Sequence, residues 1–466
     1  MIQSLDIFVI FLFFFFLLMI SYFASKNVKG KDSFLINSRK TGLFLFIATN
    51  VSTWYGGILG VGEFTYNYGI VNWVTQGVPY YFFGFLFALL FAKRIRETSL
   101  LTIPQKIEQE YDKKISILSA LIVLILSSPA PYILMIGIIF SKIFSLNLFF
   151  SMLISLLIIL PFILKGGFVT DIKTDLFQFF VMFLGFIFLF LFSYKNIGDF
   201  KILTENLPKE HLSLTGGLSP FYVVVWFFIA SWTFVDPGFH QRCYSAKDGN
   251  VARNGILLSI IFWMIFDFLT TTTALYSKVL FPSLDYPQWS YFFLADRIMP
   301  SGFKGIFYAA IFATVISTLN SLFVISGTTF SIDIVKKLQE KSDEKKMTVV
   351  GIIVSSIFGF LLAFFVPSVV NLWYLIGSIC IPGLILPLLG AYYKKMKINK
   401  DLTFLEIILG FIVPLLWIFI RKRIDQNSVL YLIEPMFAGL LVTSTIHIYG
   451  MVKHEKTKNE FDRRDF

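Results

Sequence analysis

Ser317, Thr318 and Ser321 sit in the apolar stretch AAIFATVISTLNSLF (residues 309–323), together with Thr314 and Asn320. On a helix, residues three and four apart lie together and adjacent ones diverge by about 100°. The three hydroxyls therefore occupy neighbouring faces of one turn. Two kinds of chemistry use such a set. Ser and Thr join membrane helices by hydrogen bonds, and small residues let helices approach closely. Alternatively, a hard cation such as Na⁺ takes several oxygen ligands of little formal charge, and hydroxyls on one helix facing free carbonyls on another supply them.

Acidic residues within apolar runs are the second candidates, because a lone charge at membrane depth costs ~3 kcal/mol or more and by default marks function. Asp236 interrupts one run at VDPG, where it would face a cavity. Asp267 reads either as a cavity residue or as a structural partner of a basic or hydroxyl group. Glu63 reads as an external gate or an interfacial residue, and Asp175, at the start of a run, as a helix cap on residue type alone. His240 reads as a solvated loop histidine. No base with its orienting partner, phosphate-cradling glycine loop or metal-ligand cluster points to an enzyme.

These residues must be carried by membrane helices. The chain has 466 residues, 56% hydrophobic and 15% charged, with mean hydropathy +0.75. That apolar content marks an all-α polytopic membrane protein. Runs long enough to span a bilayer begin near Leu5, Leu43, Asn72, Ile115, Asn147, Asp175, Leu218, Ile256, Phe303, Met347, Val369, Phe404 and Leu430, about 13 spans in all. The first has no Lys or Arg before it and no small-residue cleavage site after it, and so reads as a retained span rather than a signal peptide.

Lys and Arg concentrate in alternate loops: residues 26–40, 93–114, 242–253, 336–346 and 394–400. The positive-inside rule then puts the N-terminus outside and the tail in the cytoplasm. The loop RKRIDQNSV from Arg421 opposes that bias. Positive cytoplasmic loops account for the net charge of +11 and leave nucleic acid unnecessary as a partner. Two cysteines suggest neither a disulfide framework nor a metal cluster.

The chain reads as one transmembrane domain. The second span is broken by YGGILGVG and the seventh by VDPG. They lie five spans apart, so spans two to six and seven to eleven form corresponding repeats, of about 41–195 and 218–396. Broken helices at matching positions point to a midplane substrate site. Extra helices fall at 5–24 and 403–450, with a tail at 451–466.

The stretch 309–323, followed by DIVKK, is similar to the ninth-span motif of the sodium:solute symporter family. FLINSRKTG resembles the family's entry to the second span, GGFVTDIKTDLFQ its GG…TD..Q signature, QRCYSAKD its QR loop, and IPGLILPLLGAYYKK its eleventh span. The resemblance covers about residues 20–400. It implies a five-plus-five inverted-repeat fold of the leucine-transporter type and Na⁺ as coupling ion. It implies a sodium site built from the carbonyls of Ala48, Val51 and Thr314 with the hydroxyls of Ser317 and Thr318. It also offers Asp175, with Asn320 and Ser321, as a second sodium site, which stands beside the helix-cap reading.

Within the family, STWYGGILGVGEFTYNYG looks most like the choline-transporter branch. By that resemblance Trp54 and Tyr80 would box an ammonium through cation–π attraction, with Met135, which has Tyr132 nearby, and Asp236 at the two remaining substrate positions. Packing aromatics are the alternative. The resulting expectation is a Na⁺-coupled symporter of the plasma membrane for an amine or zwitterion. A sugar, carboxylate or inorganic anion is the alternative substrate, and a solute sensor the remoter one. The expected partners are the bilayer, Na⁺ and the solute, and an oligomer is compatible with them.

Overall fold

The computed structural model describes residues 2–462 apart from 27, 29, 426 and 427. The last residues of the expected tail and part of the loop after Arg421 therefore lie outside the described residues. Among the described residues twelve helices are long and apolar enough to cross a membrane, and a shorter apolar one lies at Leu148–Pro161. In chain order the spans are 1, Ser4–Lys26; 2, Leu43–Tyr68; 3, Trp73–Glu97; 4, Lys113–Phe144; 5, Leu148–Pro161; 6, Ile163–Ile197; and 7, Pro220–Ser245. They continue as 8, Gly249–Leu280; 9, Phe303–Leu338; 10, Glu344–Phe365; 11, Val369–Tyr392; 12, Lys400–Arg421; and 13, Pro435–Lys453.

Spans 5 and 6 form one continuous 50-residue helical stretch, Leu148–Ile197. Straight, it would be about 75 Å long, far more than a hydrocarbon core of about 30 Å accommodates. The break is at Gly167, with φ 52° and ψ −140°. A Cβ there would come within 2.5 Å of the Phe34 carbonyl oxygen, so both the backbone conformation and the close approach require glycine.

Two further interruptions shape the centre. In span 2 the α-helix Leu43–Trp54 passes through a tight turn at Tyr55–Gly57 before Ile58–Tyr68 resumes. Span 7 stops at Val235, and Asp236 is extended, with φ −66° and ψ 115°. Pro237 then opens the helix Pro237–Ser245, at a position where its missing N–H costs nothing. The Asp236 carboxylate caps that helix, accepting hydrogen bonds from the N–H groups of Gly238 at 2.7 Å and Phe239 at 3.0 Å.

Span 9 lies at the centre, packed against spans 1, 2, 4, 6 and 10. Its most apolar stretch is 94% buried, against 28% for span 1. Its hydroxyls therefore face protein, not lipid.

The five basic loops meet on one face. Arg39 donates to the carbonyls of Ser99, Leu100 and Tyr244, and Arg96 to those of Ala246 and Lys247. Lys31 pairs with Glu344 at 2.5 Å, Lys337 with Glu108 at 2.8 Å and Lys397 with Glu110 at 3.1 Å. The loop after Arg421 lies at the other end of span 11, where Arg421 meets Tyr374. Its guanidinium is neutralised there by a two-pronged pair with Glu434, at 2.7 and 2.8 Å.

Candidate functional site

Spans 2 and 7, each broken at mid-length, enclose a cavity of about 170 Å³ with spans 3, 4, 8, 9 and 11. Trp54 from span 2 and Tyr80 from span 3 form one wall, their ring centroids 4.6 Å apart at 65°. Trp54 also meets Trp263 at 5.3 Å and Phe239 at 5.6 Å. Asp236, Asp267, Thr318 and Ser321 bring oxygen to the same lining. The site is thus an aromatic chamber with a few oxygen groups, the usual make-up of a small-molecule pocket.

Beside the cavity, spans 2, 6 and 9 press their polar side chains together. The Ser317 hydroxyl lies 2.5 Å from Asp175 Oδ1 and 3.0 Å from the Ser52 hydroxyl. Thr318 donates to the Thr53 carbonyl at 2.5 Å and stands 3.4 Å from the Thr314 carbonyl. Gly56 makes this approach possible, since a Cβ there would sit 2.1 Å from Thr318 Oγ1. Thr49 donates to Asp175 Oδ2. Hydroxyls, carbonyls and one carboxylate of this kind are ligands that a hard cation takes.

The Arg242 guanidinium enters the cluster from span 7. Its Nη2 donates to Thr53 at 2.5 Å, Ser321 at 2.8 Å and Thr49 at 3.3 Å, and lies 3.7 Å from Asp175 Oδ2. Ser321 in turn donates to Asp171 at 2.6 Å. Asp171 and Asp175 are four apart on span 6, so they share a face. Arg242, Asp171 and Asp175 are all buried, and the guanidinium pairs with Asp175, whose charge would otherwise be costly there.

The structure brings Ser317, Thr318, Thr314 and Asp175 into one cluster. Ala48 and Val51 are fully buried on span 2, within the helix that carries Thr49 and Ser52. Asp175, Asn320 and Ser321 are not joined directly. Asp175 bonds Ser317 and Thr49, Ser321 bonds Asp171 and Arg242, and the buried Asn320 Oδ1 has no partner. The reason is the i, i+4 spacing, which puts Asp171 one turn along span 6 beside Ser321. Asp175 also lies well inside span 6 rather than at its start, so it is not a helix cap.

Trp54, Tyr80 and Asp236 line the cavity, but Met135 does not. Met135 is fully buried in helix packing, and Tyr132, one turn earlier on span 4, faces the cavity instead. His240 is likewise not a solvated loop residue. It is 1% exposed in the second half of span 7, with Nε2 3.0 Å from the Phe234 carbonyl. Glu63 is half-buried in span 2. Sequence reading missed Asp171 and the inward reach of Arg242. The i, i+4 spacing of the two aspartates and the QR pair were the available signals.

The model of the sodium:solute symporter family matches residues 36–410, most of the chain. The chain belongs to the sodium:solute symporter family. It is 23% identical over 492 residues to sodium/proline symporter 2 of Staphylococcus saprophyticus, covering 98% of this chain and 94% of that protein. It is 23% identical over 399 residues to solute carrier family 5 member 4B of Mus musculus, covering 72% of this chain. There the chain spans only 58% of the relative's length.

Among solved structures, a substrate-bound, outward-open Na⁺-coupled sialic acid symporter superposes with a TM-score of 0.79 at 16% identity, covering 97% of each chain. That likeness establishes the five-plus-five inverted-repeat architecture for this fold.

Proposed function

We propose that this chain is a Na⁺-coupled secondary symporter that imports a small organic solute, an amine or zwitterion, by alternating access. The observation that carries the reading is the oxygen cluster binding span 9 to spans 2 and 6. In this account Na⁺ takes the carbonyls of Ala48, Val51 and Thr314 and the hydroxyls of Ser317 and Thr318, with Asp175 supplying negative charge at its edge. An ion bridging spans 2 and 9 stabilises the outward-facing, substrate-ready arrangement. By reciprocity, substrate raises Na⁺ affinity by the factor by which Na⁺ raises substrate affinity.

The solute sits against Trp54 and Tyr80, near Asp236. A weakened aromatic cage with a carboxylate suits an ammonium bearing N–H donors better than a quaternary one. The sodium/proline symporter among the relatives favours a second reading, in which the same cavity holds a zwitterionic solute.

The repeats are taken as 41–195 and 218–396 within a single transmembrane domain, with extra helices at 5–24 and 403–450. The basic face is taken as cytoplasmic and the membrane as the plasma membrane, with the N-terminus outside. The convergence of five positive loops on one face supports that orientation.

A thermal-shift screen of the purified chain against amines, amino acids, sugars and carboxylates, each in Na⁺ and in K⁺ buffer, tests the reading. A ligand that binds only the folded state raises apparent stability by RT ln(1 + [L]/Kd). An amine or zwitterion that acts in Na⁺ alone is the expected hit. A hit indifferent to Na⁺ contradicts the coupling.

A further inference from the structure

Asp236 and Asp267 are the carboxylates of the cavity lining, and Asp171 and Asp175 lie beside it in the cluster that Arg242 enters. Asp175 faces the Arg242 guanidinium. Asp236 accepts two backbone N–H groups at the start of the helix Pro237–Ser245. Asp267, on span 8, has neither. It lines the cavity and is 6% exposed, and among the described residues no Lys, Arg or His nitrogen pairs with it.

Its neighbours on span 3 hold it as an acceptor. The Tyr81 hydroxyl donates to Asp267 Oδ2, and the Tyr81 hydroxyl oxygen itself accepts the Trp73 indole N–H at 3.0 Å. An indole N–H can only donate, so the Tyr81 proton is directed at Asp267. Span 3 comes this close because residue 77 is glycine, where a Cβ would lie 3.1 Å from Asp267 Oδ2. The Tyr55 hydroxyl donates to the Trp263 carbonyl at 2.6 Å.

We propose that Asp267, oriented by Tyr81, is the carboxylate that receives the substrate's ammonium group, and that the substrate class is a primary or secondary amine whose apolar part lies against Trp54 and Tyr80. The inference rests on the symporter reading and deepens it. Asp236 becomes mainly the cap that keeps span 7 broken. An oriented carboxylate with no protein cation beside it is completed by an N–H-bearing cation, which forms the shorter and stronger charge-assisted hydrogen bond. A neutral hydroxyl in its place leaves the charge unmatched.

The test uses the full chain and three probes: 2-phenylethylamine, its N-methyl derivative and the neutral 2-phenylethanol. Thermal shifts are titrated with each probe in Na⁺ and in K⁺, beside a titration of Na⁺ alone. Both amines are expected to stabilise the protein in Na⁺ and the alcohol to do little. Asp267→Asn should weaken the amines about tenfold or more, the scale of a lost charged hydrogen bond. That variant should keep its response to Na⁺ alone.

Tyr81→Phe supplies the evidence if Asp267→Asn does not fold, and it should weaken the amines about threefold or more, as expected for a lost hydrogen bond. Equal stabilisation by the alcohol, absence of any amine shift, or unchanged amine affinity in both Asp267→Asn and Tyr81→Phe overturns the proposal. An amine shift that needs Asp267 but ignores Na⁺ upholds it and overturns the coupling on which the symporter reading rests.

Discussion

The Ser317 hydroxyl lies 2.5 Å from Asp175 Oδ1, so spans 9 and 6 meet through a hydroxyl and a carboxylate beside the Thr318–Thr53 contact of spans 9 and 2. Any cation admitted there touches three helices at once. Ser317→Ala and Thr318→Ala should each raise the Na⁺ concentration for half-maximal activation about tenfold, the scale of one lost polar contact of 1–2 kcal/mol. Na⁺-activation curves for solute-induced stabilisation or uptake give the value. Unchanged activation in both variants would remove the site.

Arg242 and Asp175 form a buried pair at 3.7 Å, and removing either leaves the other uncompensated. Asp175→Ala should destabilise the protein by about 3–5 kcal/mol, the range for breaking a buried pair from one side. Arg242→Leu combined with Asp175→Leu should cost less than the two single changes added together. Unfolding midpoints of the three variants in one detergent provide the comparison, and simple additivity would mean the two groups do not interact.

Gly56 lies where a methyl group would sit 2.1 Å from Thr318 Oγ1 and 2.5 Å from Tyr132 Cε1. Gly56→Ala should cost about 1–3 kcal/mol as overpacking and should separate Thr318 from span 2. The expected signature is a folded protein whose Na⁺ response is weakened at least as much as in Thr318→Ala. A Gly56→Ala protein with normal Na⁺ activation would mean that spans 2 and 9 need not approach this closely.

His211, in the connection between spans 6 and 7, is buried and its Nε2 lies 3.0 Å from the Tyr66 carbonyl. Burial pushes its pKa below the ordinary 6.5, and the hydrogen bond to Tyr66 acts the other way. A lowered pKa means that the unfolded chain binds the proton more readily, so the contribution is present above about pH 6.5 and is lost as pH falls below it. Unfolding midpoints between about pH 7.5 and 5.5 should therefore fall more in the native chain than in His211→Gln, whose amide cannot take up that proton. Parallel curves would mean that His211 does not contribute.

Much of this was legible in the sequence because membrane helices announce themselves by length and apolarity. The starts of all 13 expected runs fall in or beside the helices described, and the two breaks stand at YGG and VDPG. The Ser317–Thr318 pair was legible because hydroxyls are conspicuous in an apolar run. What escaped depends on helix rotation and side-chain reach. Met135 and Tyr132 are three apart on span 4, yet only Tyr132 faces the cavity. His240 looked like a loop residue because VDPG resembles a helix end, whereas Pro237 starts a new helix that buries it. Arg242 belongs in sequence to a basic loop, and only its long side chain carries the charge into the cluster.

The central claim is that Na⁺ binds between spans 2 and 9 and is coupled to solute, and equilibrium binding of radioactive sodium to the purified chain tests it most directly. The account predicts saturable binding that K⁺ does not displace, that tightens when a solute identified by thermal shift is added, and that is strongly weakened in Ser317→Ala. Absence of saturable binding, or binding unaffected by both the solute and Ser317→Ala, would contradict it.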